Sequence, residues 1–376
     1  MPKLFLLPAA TGRRAVLWGL LFFACSQAAL SAYLNWRRPD VRDPAFGLRL
    51  LALRRRLAEK PGVPLVLVLG SSRTLNGLSP AHMPVALGQA GPKPLVFNFA
   101  LAGSGSVREL MTLRRLRAAG IKPDWLLIES WPILWPEDGI FAERRLVVED
   151  ELCWTDLPVL RRYLPGKLEL FGRLLKGNLA PLVSYRSRML HAGAHSLLPH
   201  DQDQTLSHED DDWTSADGTG WLPYRKIPAN SEALRREVAK GLLVAAPLLN
   251  PLRIAPDYDR ALHELLDECR QDGIKTAVFL MPEHSECRRW YSPQTHTVVS
   301  GYLTQLRTEY TIPILDTRDW APDEHFADFC HMAPWGAKPF SQRFAREVIQ
   351  PWLNGNPLSR DVLLMEKFAE SGGPAP

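Results

Sequence analysis

Residues Ala15 to Leu34 (AVLWGLLFFACSQAALSAYL) form a run of 20 residues without a charge, bracketed by Arg13–Arg14 and Arg37–Arg38. At 1.5 Å per residue a helix over this run spans roughly 30 Å, the thickness of a bilayer's hydrocarbon core. A run of this kind is a membrane span, a cleaved signal peptide or a buried core helix. Leu30-Ser31-Ala32 offers a cleavage site, and Ser26, Gln27 and Ser31 make the second half less apolar. Phe22-Phe23-Ala24-Cys25 is a poor lipoprotein box, because an aliphatic residue is usual where Phe22 stands. The reading adopted is an uncleaved signal anchor over residues 1–36, crossing the lipid bilayer with residues 15–34. Charge leaves the orientation open, since Lys3, Arg13 and Arg14 precede the run while Arg37, Arg38 and Arg42 follow it. A short N-terminal tail is the easier end to keep inside, which puts the large remainder outside the cytoplasm.

The remainder is ordinary globular material. Over 376 residues the chain is 46% hydrophobic and 23% charged, which excludes wholesale disorder, collagen and coiled coil. Lys+Arg at 45 against Asp+Glu at 41 leaves +4, without the basic stripe of a nucleic-acid binder. Five cysteines (Cys25, Cys153, Cys269, Cys287, Cys330) make no CxxC pair and no disulfide framework. One bridge among the last three would suit an oxidising compartment. No HExxH and no clustered His/Asp set points to a metal, and no cofactor is expected.

Residues 37–62 read as an amphipathic linker, with an Arg-rich helix over Ala45 to Leu57. Short apolar runs then alternate with helical segments. Val63 to Leu69, Pro94 to Phe99, Asp124 to Glu129, Lys275 to Met281 and Ile312 to Leu315 read as strands covered on both faces. Val107 to Ala119, Tyr258 to Gln271 and Trp335 to Ile349 read as helices. That alternation predicts an α/β domain with a five-stranded parallel sheet over residues 63–354. About 145 residues separate the third and fourth strands, far more than a crossover needs, so an insertion is placed at about 136–256. Within it Leu157 to Met189 looks helical, with a break at Pro165-Gly166. The acidic stretch DQDQTLSHEDDDW from Asp201 to Trp213 is a surface excursion, a lid or a docking element. The turn-rich DGTGWLPY from Asp217 to Tyr224 is suited to covering a site. Residues 355–376 are expected to be a flexible tail.

Open α/β sheets bind ligands beyond the carboxyl ends of their strands. There the sequence collects polar residues: GSSRTLNG from Gly70, Asn98 and Gly103 after the second strand, and Glu129 to Trp135 after the third. PEHSECRRWY follows the fourth strand, and a long loop holding Asp328 and His331 follows the fifth. A serine on the tight turn after the first strand stands near a helix N-terminus whose N–H groups can hold an oxyanion. Asp328-Phe-Cys-His331 supplies a base and its orienting carboxylate, giving triad logic in the order Ser72, Asp328, His331. His325 is a competing base, and Ser71 a competing nucleophile. Gly103-Ser-Gly105-Ser-Val-Arg108 imitates a dinucleotide fingerprint, but Arg108 stands where the third glycine belongs.

These blocks resemble the SGNH/GDSL hydrolase and acyltransferase superfamily. Gly70-Ser71-Ser72 matches its Gly-Asp-Ser block, with Ser72 on the nucleophile and Ser71 in place of Asp. Asn98 through Gly103 matches Asn-x-x-x-x-Gly, with Gly103 on an oxyanion-hole position beside the Ser72 N–H. Asp328 and His331 match Asp-x-x-His. The third block departs: Glu129-Ser130-Trp131-Pro132-Ile133 lacks the Asn that is commonly a further oxyanion donor. With the N-terminal anchor, the pattern is similar to the membrane-anchored DltD-like and AlgJ/AlgX-like branch. The resemblance implies a flavodoxin-like three-layer sandwich with a long helical insertion. It implies a single-pass protein of the bacterial cytoplasmic membrane, with a periplasmic serine O-acyltransferase or esterase domain. An acyl donor, a glycan acceptor and a membrane-bound O-acyltransferase are the partners it implies. Substrate-binding candidates are Arg73, Asn98, Glu283, Arg288 and Trp131; Trp135, Trp290 and Trp335 are candidate stacking platforms. The other outcome is an inactive scaffold of the same fold, docking a polymer or the membrane acyltransferase.

Overall fold

Five apolar runs with little polar alternation can be satisfied only where both strand faces are covered, and the chain folds that way. A computed structural model describes residues 9–84, 93–149, 152–164, 168–194, 216–359 and 363. The elements begin with helices α1 (Ala9–Trp36), α2 (Pro39–Arg42) and α3 (Pro44–Glu59). Strand β1 (Leu65–Leu69), α4 (Ser72–Gly77), β2 (Leu95–Asn98), α5 (Ser106–Ala118) and β3 (Trp125–Glu129) follow. The next stretch is helical: α6 (Glu137–Glu149), α7 (Leu157–Tyr163), α8 (Leu168–Leu179), α9 (Pro181–Ser184) and α10 (Arg186–Ala194). Then come α11 (Ser231–Leu249), α12 (Pro256–Gln271), β4 (Lys275–Leu280), α13 (Ser285–Arg289) and α14 (Pro293–Tyr310). Strand β5 (Ile314–Asp316), α15 (Pro334–Phe344) and α16 (Gln350–Leu353) close the series.

The chain divides into two compact units, residues 48–149 with 212–376 and residues 1–47 with 150–211. The first holds a five-stranded sheet of order β2-β1-β3-β4-β5 with every neighbouring pair parallel. All strand residues are buried except Lys275. Val68 pairs with Asn98 and Leu127, and Ile128 with Leu69 and Val278, so the carboxyl ends of β1, β2, β3 and β4 are brought level. The chain leaves β1 for β2 and returns past it to β3, which makes the β1/β3 crevice the switch point. One sheet face (Val66, Val68, Leu127, Phe279, Leu315) packs on Phe340, Phe344 and Val348 of the C-terminal helices. Helices α5 and α12 lie together, tied by Arg114 to Glu264 at 2.7 Å and to Glu268 at 2.8 Å.

Several sequence expectations are revised. The last long helix is α-helical only to Phe344 and continues as a π turn, Ala345–Ile349. The expected loose tail contributes Leu358 and Leu363 to the core, and Leu363 bridges Leu315 of β5. The insertion is not one body: α6 and residues 212–255 belong to the sheet-bearing unit, and residues 150–211 to the other. All five cysteines are free thiols, three of them buried. The acidic stretch Asp201 to Trp213 and, of the expected tail, residues 360–362 and 364–376 lie outside the described residues.

The second unit is helical. Its helix α1 contains the stretch Gly12–Trp36, long and apolar enough to cross a membrane, and a signal sequence passes the same test. A buried arginine organises the rest. Arg42 reaches the Asn35 side chain and the Leu152 carbonyl, bonds Asn178 Oδ1 at 3.1 Å, and lies 5.9 Å from the Tyr185 ring centre. A charge is tolerated there because its Nη groups find acceptors.

Candidate active site

The turn after β1 has room for nothing but glycine at its first position. A Cβ on Gly70 would stand 2.6 Å from Thr74 Oγ1 and 2.7 Å from Glu129 Oε2. Ser71 is extended (φ −84°, ψ −169°) and caps α4, its Oγ accepting from Arg73 N at 3.2 Å. Glu129 Oε2 accepts from Ser71 N at 2.8 Å, Ser71 Oγ at 2.9 Å and Thr74 Oγ1 at 2.7 Å. This carboxylate at the end of β3 therefore pins the turn, and the Ser71 hydroxyl is occupied by the cap. Ser72, the first residue of α4, is left with its side chain half-exposed.

The Ser72 Oγ lies 2.8 Å from His331 Nε2, and His331 Nδ1 lies 2.7 Å from Asp328 Oδ2. Asp328 Oδ1 accepts the backbone N–H groups of Cys330 at 2.8 Å and His331 at 2.7 Å. Burial pushes the Asp328 carboxyl up, but the His331 ring and these two N–H donors outweigh it and hold the group at about 2. The loop is closed by Ala327 N donating to His331 O, which orients the imidazole from behind. The structure thus brings together Ser72, Asp328 and His331, while the His325 backbone donates to Pro322 O at 3.0 Å and accepts from Ala333 N at 2.8 Å.

A fourth residue joins them that the sequence reading did not assign. Tyr224 donates its Oη to Asp328 Oδ2 at 2.9 Å and stacks on His331, ring centres 4.6 Å apart and planes at 9°. Burial, then the Asp328 charge, raise its hydroxyl far above the tyrosine range, so it stays a donor. The stretch from Asp217 to Leu222 holds it there as a strap. Asn98 N donates to Thr219 O at 2.9 Å, Asn76 Nδ2 to Leu222 O at 2.8 Å, and Trp221 Nε1 to Asn76 O at 2.7 Å. Gly220 (φ +86°) passes so close that a Cβ would stand 2.0 Å from Asn98 O. The clue in the sequence was the aspartate- and glycine-rich turn beside two aromatics. Tyr224→Phe keeps the stack and removes one donor to a carboxylate, and turnover is expected to fall about tenfold with unchanged thermal stability. Steady-state kinetics on an activated ester beside a melting curve checks this.

Two N–H groups belong to the turns that follow β1 and β2. As first residue of α4, Ser72 has no intrahelical acceptor for its N–H. Gly103 sits at φ +68°, where a side chain is strained, and a Cβ would meet Leu146 Cδ1 at 2.1 Å. Glu143 of α6 steadies this loop, its Oε1 accepting from Gly105 N and Arg108 N at 2.8 Å each. Burial raises the Glu143 carboxyl to about 7 against those two bonds.

The proposed substrate contacts are mostly engaged elsewhere. Arg73 is 1% exposed; its Nη2 donates to Met281 O and Pro282 O, and its guanidinium lies 4.7 Å from the Trp131 ring centre. Asn98 is wholly buried and donates to Thr74 O and Leu78 O. Glu283 accepts from Tyr291 Oη at 2.9 Å, and Arg288 reaches the carbonyls of Glu283 and Arg318. Trp131 is half-buried beneath Arg73. Trp135 and Trp290 are buried, whereas Trp335 is 54% exposed at the start of α15. Asp328, Cys330 and His331 could present ligand atoms within 4.8 Å of one another to a metal ion. Burial, with the Asp328 charge, holds the Cys330 thiol well above its ordinary range, and a metal would have to break the bond between Asp328 and His331. No protein-family model and no curated protein matches the chain.

Proposed function

We propose that the protein is a membrane-anchored serine O-acyltransferase or esterase of the SGNH type, working outside the cytoplasm on an acylated envelope or exopolysaccharide glycan. The observation that carries this reading is the relay from Ser72 Oγ through His331 to Asp328, at 2.8 Å and 2.7 Å. Ser72 Oγ attacks the carbonyl carbon of an acyl donor as its proton passes to His331 Nε2. The N–H groups of Ser72 and Gly103 receive the negative charge on the carbonyl oxygen. Collapse expels the donor's alkoxide, which takes the proton from Nε2 and leaves an acyl group on Ser72. A glycan hydroxyl or water, deprotonated by His331, then attacks and restores the serine. Asp328 stabilises the imidazolium in both halves. A membrane-bound O-acyltransferase would fit as donor of the acyl group on the resemblance alone.

A scaffold reading draws on the third block. The Ser130 hydroxyl lies between Tyr258 Oη at 3.0 Å and Trp135 Nε1 at 3.1 Å, buried, and supplies no further oxyanion donor. The experiment that separates the readings is labelling of the full-length protein with a fluorophosphonate, followed by peptide mapping. Phosphonylation at Ser72 is the expected result. An unlabelled Ser72 in folded protein leaves the scaffold.

A further inference from the structure

We infer that helices α8 and α9 are immersed in the membrane leaflet that receives the C-terminal half of α1, with phospholipid chains covering their outer face. The inference rests on the reading of α1 as a retained membrane span. Its starting point is that α8 is apolar on two sides. Leu170 and Leu174 are buried. Leu168, Phe171, Leu175 and Leu179, spaced by three and four residues, form a second stripe along the helix. Leu168 is 83%, Phe171 40% and Leu179 61% exposed, and Leu182 and Val183 of α9 add 50% each. Exposed Glu169 and Lys176, with half-buried Arg173, share a third, charged side, so the second apolar stripe lies between the core face and the polar face and is covered by neither.

What covers this stripe follows from where the helices sit on α1. Both pack against it. The Leu182 N–H donates to Gln27 Oε1 at 3.3 Å, and Leu30 and Leu34 pack with Tyr185 and Met189. On α1, Tyr33 is 52% and Trp36 72% exposed, the aromatic pair that a span places at the headgroup level. Gln27 precedes Trp36 by nine residues, roughly 13 Å along the axis and close to half of a roughly 30 Å hydrocarbon core. With Trp36 at the boundary, α9 lies deep in one leaflet, where exposed Leu182 and Val183 meet acyl chains. Charges lie on the polar side of α8 (Glu169, Lys176) and at the ends of the stretch, Arg161 and Arg162 before it and Arg186 after it, as on an amphipathic element lying in the interface. Gln27 would otherwise be an amide facing lipid; here it is 5% exposed and bonded.

The test uses the full chain in phosphatidylcholine vesicles, with Cys25 and Cys153 replaced by alanine. Single cysteines at Phe171 and Leu182 carry an environment-sensitive fluorophore. A Phe22→Cys label on α1 is the lipid reference, and Lys338→Cys on α15 the water reference. The expected result is blue-shifted emission at Phe171→Cys and Leu182→Cys, quenched by nitroxide on the lipid chains and not by aqueous iodide. Iodide quenching at those two sites with lipid quenching at Phe22→Cys overturns the inference and leaves the span intact. Iodide quenching at all three overturns the span reading as well. Protection from both quenchers at Phe171→Cys and Leu182→Cys also overturns it, since the cover is then protein.

Discussion

Full-length Ser72→Ala protein is expected to lose turnover of an activated acetyl ester by on the order of a millionfold, and Asp328→Asn by about ten-thousandfold. On the proposed mechanism the two losses differ because Ser72 would form the covalent bond, whereas Asp328 would fix the tautomer and charge of His331. Neither change should disturb the fold. The recorded bond of the Ser72 hydroxyl is the one to His331, and an Asn at 328 still accepts the N–H groups of Cys330 and His331 through its carbonyl. Circular dichroism beside initial rates makes the comparison, and Ser72→Ala protein with wild-type turnover would sink the acyl-enzyme. Asp328 contributes to the acid behaviour. Burial raises its pKa, its hydrogen bonds outweigh that, and the folded value of about 2 lies below the unfolded value of about 3.9. A depressed carboxyl contributes stability that is fully present above about pH 4 and is lost as pH falls towards 2. Asp328 therefore does not account for any loss of turnover between pH 5 and 7.

Arg73→Met is expected to destabilise the sheet-bearing unit by about 3–5 kcal/mol, the cost of removing one partner from a buried charge cluster. Arg73 Nη1 lies 3.7 Å from Glu129 Oε1 and 3.6 Å from Glu283 Oε1, with all three side chains nearly inaccessible. Its Nη2 satisfies two carbonyls just after β4. Methionine fills much of the volume, leaves Glu129 without its ion-pair partner, and strips Glu283 of Arg73 so that only the field of Arg318 acts on it. Glu129 also holds the turn that presents Ser72, so the loss is expected in both the urea midpoint and the rate. Adding Glu283→Gln to Arg73→Met removes one orphaned charge and should recover part of the midpoint. An Arg73→Met midpoint equal to wild type would show that the cluster contributes nothing.

The strands were legible because each is a short apolar run that no solvent-facing element tolerates, and the register then brings the loops after β1 and β5 to one edge. Ser72, Asp328 and His331 were legible for a related reason: the topology gathers strand ends, and each residue belongs to a type with matching chemistry. Arg73, Asn98 and Glu283 show the limit of that logic. A polar residue after a strand is open to substrate or sealed under the next loop, and only packing decides; here all three are sealed. The turn from Asp217 to Tyr224 was legible as a cover, but the bond of Tyr224 to Asp328 was not. Tyr224 precedes Asp328 by 104 residues, and no local pattern joins them. The same holds for the pairing of residues 1–47 with 150–211, which depends on Gln27, Leu34 and Arg42 finding partners far along the chain.

The strap from Asp217 to Tyr224 also orders events in time. Its bonds run to Asn76 and Asn98, which are made early in synthesis, and its tyrosine meets Asp328 and His331, which are made late. A nascent chain that has already folded its first two strands therefore carries Ser72 without a base. On the proposed function, Ser72 would gain its base only once residues 328–331 have been made and folded against it.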